Sequence, residues 1–192
     1  GPVDAATAAN IGSEGFAWFT RATARQGDTA LFYCCGHGAS HDQEPVLFLE
    51  DLNGSALNPW THINLASLAQ AFRKSRTVSA AFLFSDACGE LIPEFELVRD
   101  PQSCLFYPQL TPFGQSRNQV SLLCAAAEGL LAYDGPRAAG AQVKFGRFTQ
   151  TLLQALNGSS ARWVRDKWGV CGRDLLGDLK YLRRIFFSHW DS

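Results

Sequence analysis

Methionine is absent from all 192 residues, so Gly1 is not an untouched translational start, and the chain is expected to be a processed piece or an excised segment of a larger protein. There is no uninterrupted apolar run of the ~18 residues needed to cross a bilayer, which excludes a membrane-spanning helix. A secretory signal, with its basic start and short apolar core, is missing too. Excess charge of either sign is equally scarce: 17 Lys and Arg against 18 Asp and Glu leave a formal net charge of −1. The stretch from Arg162 to Arg184 holds seven basic residues with Trp163 and Trp168 among them, a pattern that would suggest nucleic acid in a basic protein. Asp166, Asp174 and Asp178 dilute it, so a solvated helix face is expected there, and neither nucleic acid nor a membrane is expected as a partner. Cys34, Cys35, His37 and His41 cluster in the chain as metal ligands do, but adjacent strand cysteines point to opposite faces and no second Cys-x-x-Cys pair completes a zinc site. No metal and no cofactor are expected.

Apolar residues make up 46% of the chain, too much for disorder, and 192 residues suffice for one domain, spanning 1–192, that buries a single sheet. Six cysteines (Cys34, Cys35, Cys88, Cys104, Cys124, Cys171) could form disulfides. Three of them fall inside expected strands among aliphatic residues, where thiols behave as small hydrophobes, so a reducing, cytoplasmic setting is expected. Along the chain, strands alternate with helices. Residues 10–25 have helical spacing, with Ile11, Trp18, Phe19 and Ala22 on one face and Gly27 closing the helix. Strand Thr29–Cys35 comes next, then a short arm at Val46–Leu49, then a helix capped by Asn64 with Leu65, Leu68, Ala69 and Phe72 toward the core. Strand Ala80–Ser85 leads into a long loop at about 89–118, rich in proline, which is expected to be mobile. Strand Val120–Ala125 and helices Arg147–Leu156 and Arg173–Phe186 complete an α/β pattern: a mostly parallel central sheet with helices on both faces.

Two of these strands carry the chemistry. Thr29–Cys35 empties into Cys-Gly-His-Gly at 35–38, and the second apolar run empties into Asp-Ala-Cys-Gly at 86–89. Each run is continuous, rich in aromatic and apolar residues, and stops at glycine, as a buried parallel strand does. Ligands bind at the carboxyl ends of such strands, so His37 and Cys88 are delivered to one place. A thiol attacking a carbonyl needs a base, and imidazole suits proton transfer near neutrality. Cys88 is the candidate nucleophile and His37 the candidate acid and base. Considered singly, the same residues also fit a core thiol and a hydrogen-bonded loop histidine. Asp86 lies two residues before Cys88, on the same side of an extended strand, and so faces the same cleft.

The motifs, in order, resemble those of caspase-like cysteine peptidases. Cys35-Gly-His-Gly38 resembles their Ser-Gly-His-Gly, Phe84-Ser-Asp-Ala-Cys88 their strand-borne Asp-Ala-Cys, Leu122–Asp134 their next strand and acidic turn, and Gly146–Leu156 their Gly-x-Phe-Thr-x-x-Leu-x-x-Ala-Leu helix. The His-before-Cys interval also matches the family's spacing of about 50 residues. The resemblance covers about residues 10–186 and points to bacterial caspase-like proteins, with metacaspases and paracaspases as relatives. It implies a cysteine endopeptidase whose oxyanion hole is formed by the backbone N–H groups of Gly38 and Cys88. It also implies an acidic S1 pocket of Asp86 and Asp134, taking Arg and then Lys at P1. Segments between nucleophile and next strand are often cut in such enzymes, and Arg99 and Arg117 offer basic sites for self-cleavage. The family's sheet begins with a further strand that has no counterpart before Asp28: either it was removed, or another polypeptide or fragment supplies it beside the protein or peptide substrate, or it never existed here. Two departures stand out: Cys35 replaces the usual serine, and Gly89-Glu90 stands after the nucleophile in place of the usual pair. The rival reading is a catalytically inactive caspase-like interaction module.

Overall fold

The two apolar runs form neighbouring parallel strands, β1 (Thr29–Gly36) and β5 (Ala80–Ala87), in a computed structural model of the chain. It describes residues 4–56, 58–98, 101, 103–104, 118–132, 146–164, 166–170, 174–177 and 179. Asp134, Arg99, Arg117, Cys171 and most of the expected helix Arg173–Phe186 lie outside the described residues. The chain divides into two compact units, Gly1–Leu131 and Ala132–Ser192.

In the first unit, helical residues Ala8–Asn10 (α1) pass through a π-helical turn, Ile11–Gly15, into α2 (Phe16–Ala22). After β1 come β2 (Gly38–His41), β3 (Glu44–Phe48) and β4 (His62–Asn64), then α3 (Leu65–Lys74). β5 leads to β6 (Glu90–Leu91), α4 (Pro93–Glu96) and β7 (Gln119–Cys124). The central sheet is parallel, in the order β1-β5-β7, and a second sheet has the order β4-β3-β2-β6. Among the described residues β1 has β5 on one side and no strand on the other.

Strand alternation builds the core. Ala30 and Cys34 of β1, and Ala81, Leu83 and Ala87 of β5, are buried on one face, where α2 and α3 cover them. Phe19 of α2 meets Phe72 of α3 at 4.8 Å, and Trp18 packs on Phe32 of β1 at 5.5 Å. Asn64 caps α3 as expected, its Oδ1 accepting the Ser67 N–H at 2.8 Å. Leu65, Leu68, Ala69 and Phe72 are all buried on the inner stripe of α3.

Two expectations need correction. The start of the proline-rich segment is structured: β6 and α4 occupy it, Pro93 sits in the first turn of α4, and Phe95 is fully buried against Ala39 and Val46. Proline is suited to that position because its missing N–H would have no partner there. The second correction is in the second unit. There α5 (Arg147–Gln154) continues as a π-helical turn (Ala155–Ser159) in which Gly158 adopts φ +117°. Where the solvated helix face was expected to begin, two strands stand instead: β8 (Arg162–Val164) pairs antiparallel with β9 (Lys167–Gly169). Trp163 and Trp168 oppose each other across them, edge to face at 5.6 Å, a cross-strand pair that outweighs the helical look of the charges.

Candidate active site

Register brings His37 and Cys88 together. Every residue of β1 faces the residue 51 positions later in β5, from Thr29 beside Ala80 to Gly36 beside Ala87. The same offset resumes beyond the strand ends, where Ala39 of β2 faces Glu90 and Ser40 faces Leu91 of β6. His37 is the single residue between β1 and β2, and Cys88 and Gly89 are the pair between β5 and β6. The uninterrupted offset sets His37 level with Cys88, at a break shared by two adjacent strands. The 51-residue spacing in the sequence is therefore the register of the sheet itself.

Glycines shape this break. Gly36 has φ +148°, a backbone value that side-chain-bearing residues rarely adopt, and it turns the chain out of β1 into His37. Gly38 is buried, and a Cβ there would lie 2.7 Å from the Cys88 carbonyl oxygen and 2.8 Å from both the Ala87 Cβ and the Val46 carbonyl oxygen. No larger residue fits without moving backbone. The His37 carbonyl accepts the Phe48 N–H at 2.9 Å, which ties the histidine to the β2–β3 hairpin, and its side chain is exposed.

Cys88 is half-buried, as is Asp86, whereas Ser85 and Ala87 between and beside them are buried; the alternation keeps Asp86 and Cys88 on one side of the strand. Cys35 is the register partner of Asp86 and is exposed. The departure at Gly89 has a physical reason. Its N–H donates to the Leu130 carbonyl at 2.9 Å, and its carbonyl accepts the Gly129 N–H at 2.7 Å. A Cβ at position 89 would collide with the Ala127 carbonyl group. The turn at residues 127–130, just after β7, thus clamps the backbone beside Cys88. Sequence reasoning missed this clamp; its one visible signal is Gly129, which the turn needs at φ +73°.

The thiols differ in kind. Burial pushes the Cys34 thiol up to about 12 and the Cys124 thiol up to about 11, and it raises Cys104 as well, so at neutral pH these three stay protonated. Cys34, Cys35, Cys104 and Cys124 are free thiols. Cys34 faces the core and Cys35 faces solvent, so adjacent cysteines do point to opposite faces. The segment after the nucleophile is strongly acidic on its exposed surface, with Glu90, Glu94 and Glu96 all solvent-facing.

A second cluster of imidazoles supports the segment beyond Cys88. His41 Nε2 lies 2.9 Å from the Val98 carbonyl, and its ring packs 4.8 Å from Phe95. His62 is 1% exposed, with Nδ1 2.7 Å from the Trp60 carbonyl and its ring 5.4 Å from Phe95. Burial lowers the His62 pKa, with the nearby His41 acting in the same direction. Among the described residues no helix is long and apolar enough to cross a membrane.

Comparison with known proteins agrees with this geometry. The family described as caspase domain matches residues 3–167. A protein of Sinorhizobium fredii described as uncharacterized protein y4kE is 30% identical over 161 residues, covering 78% of this chain and 41% of that protein. The chain spans less than half the length of that relative.

Proposed function

Since the chain belongs to the caspase domain family of cysteine peptidases, we propose that it is an endopeptidase in which Cys88 is the nucleophile and His37 the general acid and base. The observation that supports this most is the shared 51-residue offset, by which the backbone positions of His37 and Cys88 fall at one break between adjacent strands. His37 takes the Cys88 proton as sulfur attacks the scissile carbonyl, and returns it to the leaving amine. The N–H groups of Gly38 and Cys88 stabilise the oxyanion, a role favoured by the close approach of the Gly38 backbone to Cys88. Water then hydrolyses the thioester, with His37 again as base.

Asp86 supplies the carboxylate of the S1 pocket, with Asp134 as its companion. Exposed Glu90, Glu94 and Glu96 bias the approach toward cationic peptide. Arginine pairs bidentately with a carboxylate, lysine only as a point charge, and aspartate meets like charge. The order at P1 is therefore Arg, then Lys, with aspartate rejected. Self-cleavage after Arg99 or Arg117 belongs to the same reading, as does a further polypeptide segment beside β1. The free thiols of Cys34, Cys35, Cys104 and Cys124 fit a cytoplasmic setting.

A fluorogenic panel differing only at P1 tests the pocket, run on wild type, Cys88→Ala, His37→Ala and Asp86→Ala. The reading requires hydrolysis after arginine that is abolished in Cys88→Ala and nearly so in His37→Ala, and an arginine preference that weakens in Asp86→Ala. Faster hydrolysis of the aspartyl substrate would overturn the pocket, and full activity of Cys88→Ala would overturn the dyad.

A further inference from the structure

We propose that the β8–β9 strand pair is a membrane-surface contact, its two tryptophans entering the interface of a bilayer rich in anionic phospholipid. This stands apart from the hydrolytic reading and uses none of its residues. The carrying observation is an exposed pair of rings: Trp163 is 60% exposed and Trp168 69%, and they oppose each other across the two strands with centroids 5.6 Å apart. On a helix, residues five apart stand about 140° from each other around the axis, so the rings would leave on different sides. That is the geometry behind the expected solvated face. Antiparallel pairing instead sets both rings on one face, while Arg162 and Lys167, each next in the chain to a tryptophan, take the other.

Both faces are open to solvent, since Arg162, Trp163, Lys167, Trp168 and Gly169 are all exposed. A tryptophan ring joins a large apolar area to a single N–H, the combination that settles where hydrocarbon gives way to headgroups. The order across the strand pair is rings, then backbone, then cations. It repeats the order across a bilayer surface, from the acyl boundary outward to the phosphates. The charge has the required sign as well: residues 162–169 hold Arg162, Arg165 and Lys167 against Asp166, in a chain whose net charge is −1. Single-stranded nucleic acid also takes aromatic and basic groups, but it needs bases on the rings and phosphates on cations beside them. Here Arg162 and Lys167 lie on the face away from the rings, which favours the membrane.

Co-sedimentation of the full chain with vesicles tests this, comparing phosphatidylcholine alone with phosphatidylcholine holding about one-third phosphatidylglycerol. Binding to the anionic vesicles is expected, weakened several-fold by Lys167→Glu, which leaves the ring pair in place, and weakened likewise by added salt. Replacing both rings, Trp163→Ala with Trp168→Ala, should cost about tenfold or more. Acyl-brominated lipid should quench tryptophan fluorescence in the unaltered chain and spare the double variant, which keeps Trp18, Trp60 and Trp190. The double change also removes the pair that braces the two strands, so Lys167→Glu and quenching in the unaltered chain carry the decision. No binding at millimolar lipid, no quenching of the unaltered chain, or binding indifferent to Lys167→Glu would each overturn the proposal. So would tighter binding of a single-stranded oligonucleotide than of the vesicles, which would assign the rings to bases.

Discussion

Cys88 and His37 stand level on neighbouring strands, yet the chain holds them by different means. Gly89, next to the nucleophile, is hydrogen-bonded through both its N–H and its carbonyl to the turn at 127–130, and β6 pairs with β2 immediately after it. Phe95, fully buried, plugs the next turn between Ala39 and Val46. Among the described residues His37 has one backbone tie, from Phe48, and it sits exposed between Gly36 and Gly38. The nucleophile's backbone is fixed where an oxyanion must be met by preorganised donors, a requirement that tolerates little movement. The imidazole is anchored on its Gly38 side, where the backbone packs against Cys88 and Val46, and is loosely packed on its Gly36 side, which suits a group that must serve sulfur first and the leaving nitrogen afterwards.

Replacing residues on the two sides should therefore have unequal effects. The largest is expected from Phe95→Ala, which empties the plug under the nucleophile segment and should cost about 3–5 kcal/mol in urea unfolding. Next is Gly89→Ala: the new methyl meets the Ala127 backbone, which cannot turn aside as a side chain would, and a loss of about 3 kcal/mol is expected. The matching change on the histidine side, Gly36→Ala, meets only Leu47 Cδ1 at 3.7 Å and should cost roughly 1 kcal/mol, from backbone strain alone. Equal losses for the two alanines in the same urea series would erase the contrast between the clamp and the loosely packed Gly36 side.

The smallest effect is a pH dependence from His62. Its folded pKa lies below the ordinary 6.5, so between the two values the unfolded chain binds the extra proton. Stability should be independent of this group above pH 6.5 and fall as pH drops below it. Urea midpoints at about pH 7.5 and about pH 5.5 should separate more for wild type than for His62→Phe, which keeps a ring against Phe95 but does not titrate. An equal separation in the two proteins would remove His62 from the account.

The strands that carry the site were legible because they are long apolar runs stopped by glycine, and the interval from His37 to Cys88 already contained the register. Asn64 announced α3 by its side-chain chemistry. The β2–β3 hairpin was hidden because its two-residue turn is Asp42-Gln43, both at positive φ (50° and 65°), where Asn-Gly would be the expected signal. Gly-Ala-Ser-His of β2 has little strand preference, and it is extended because β3 and β6 flank it. The prolines of 93–112 suggested a loop, although Pro93 begins a helix and Phe95 anchors it. The clamp on Gly89 could not be read locally, since it joins residues that meet only once β5 and β7 are paired.

The central claim is that Cys88 is a nucleophile activated by His37, and covalent labelling with an arginyl chloromethyl ketone, mapped by peptide mass, tests it most directly. The account predicts one adduct, on Cys88, formed far more slowly in His37→Ala, with Cys34 and Cys124 unmodified because burial keeps their thiols protonated at neutral pH. An adduct on exposed Cys35 with Cys88 untouched, or labelling of Cys88 at the same rate without His37, would contradict it.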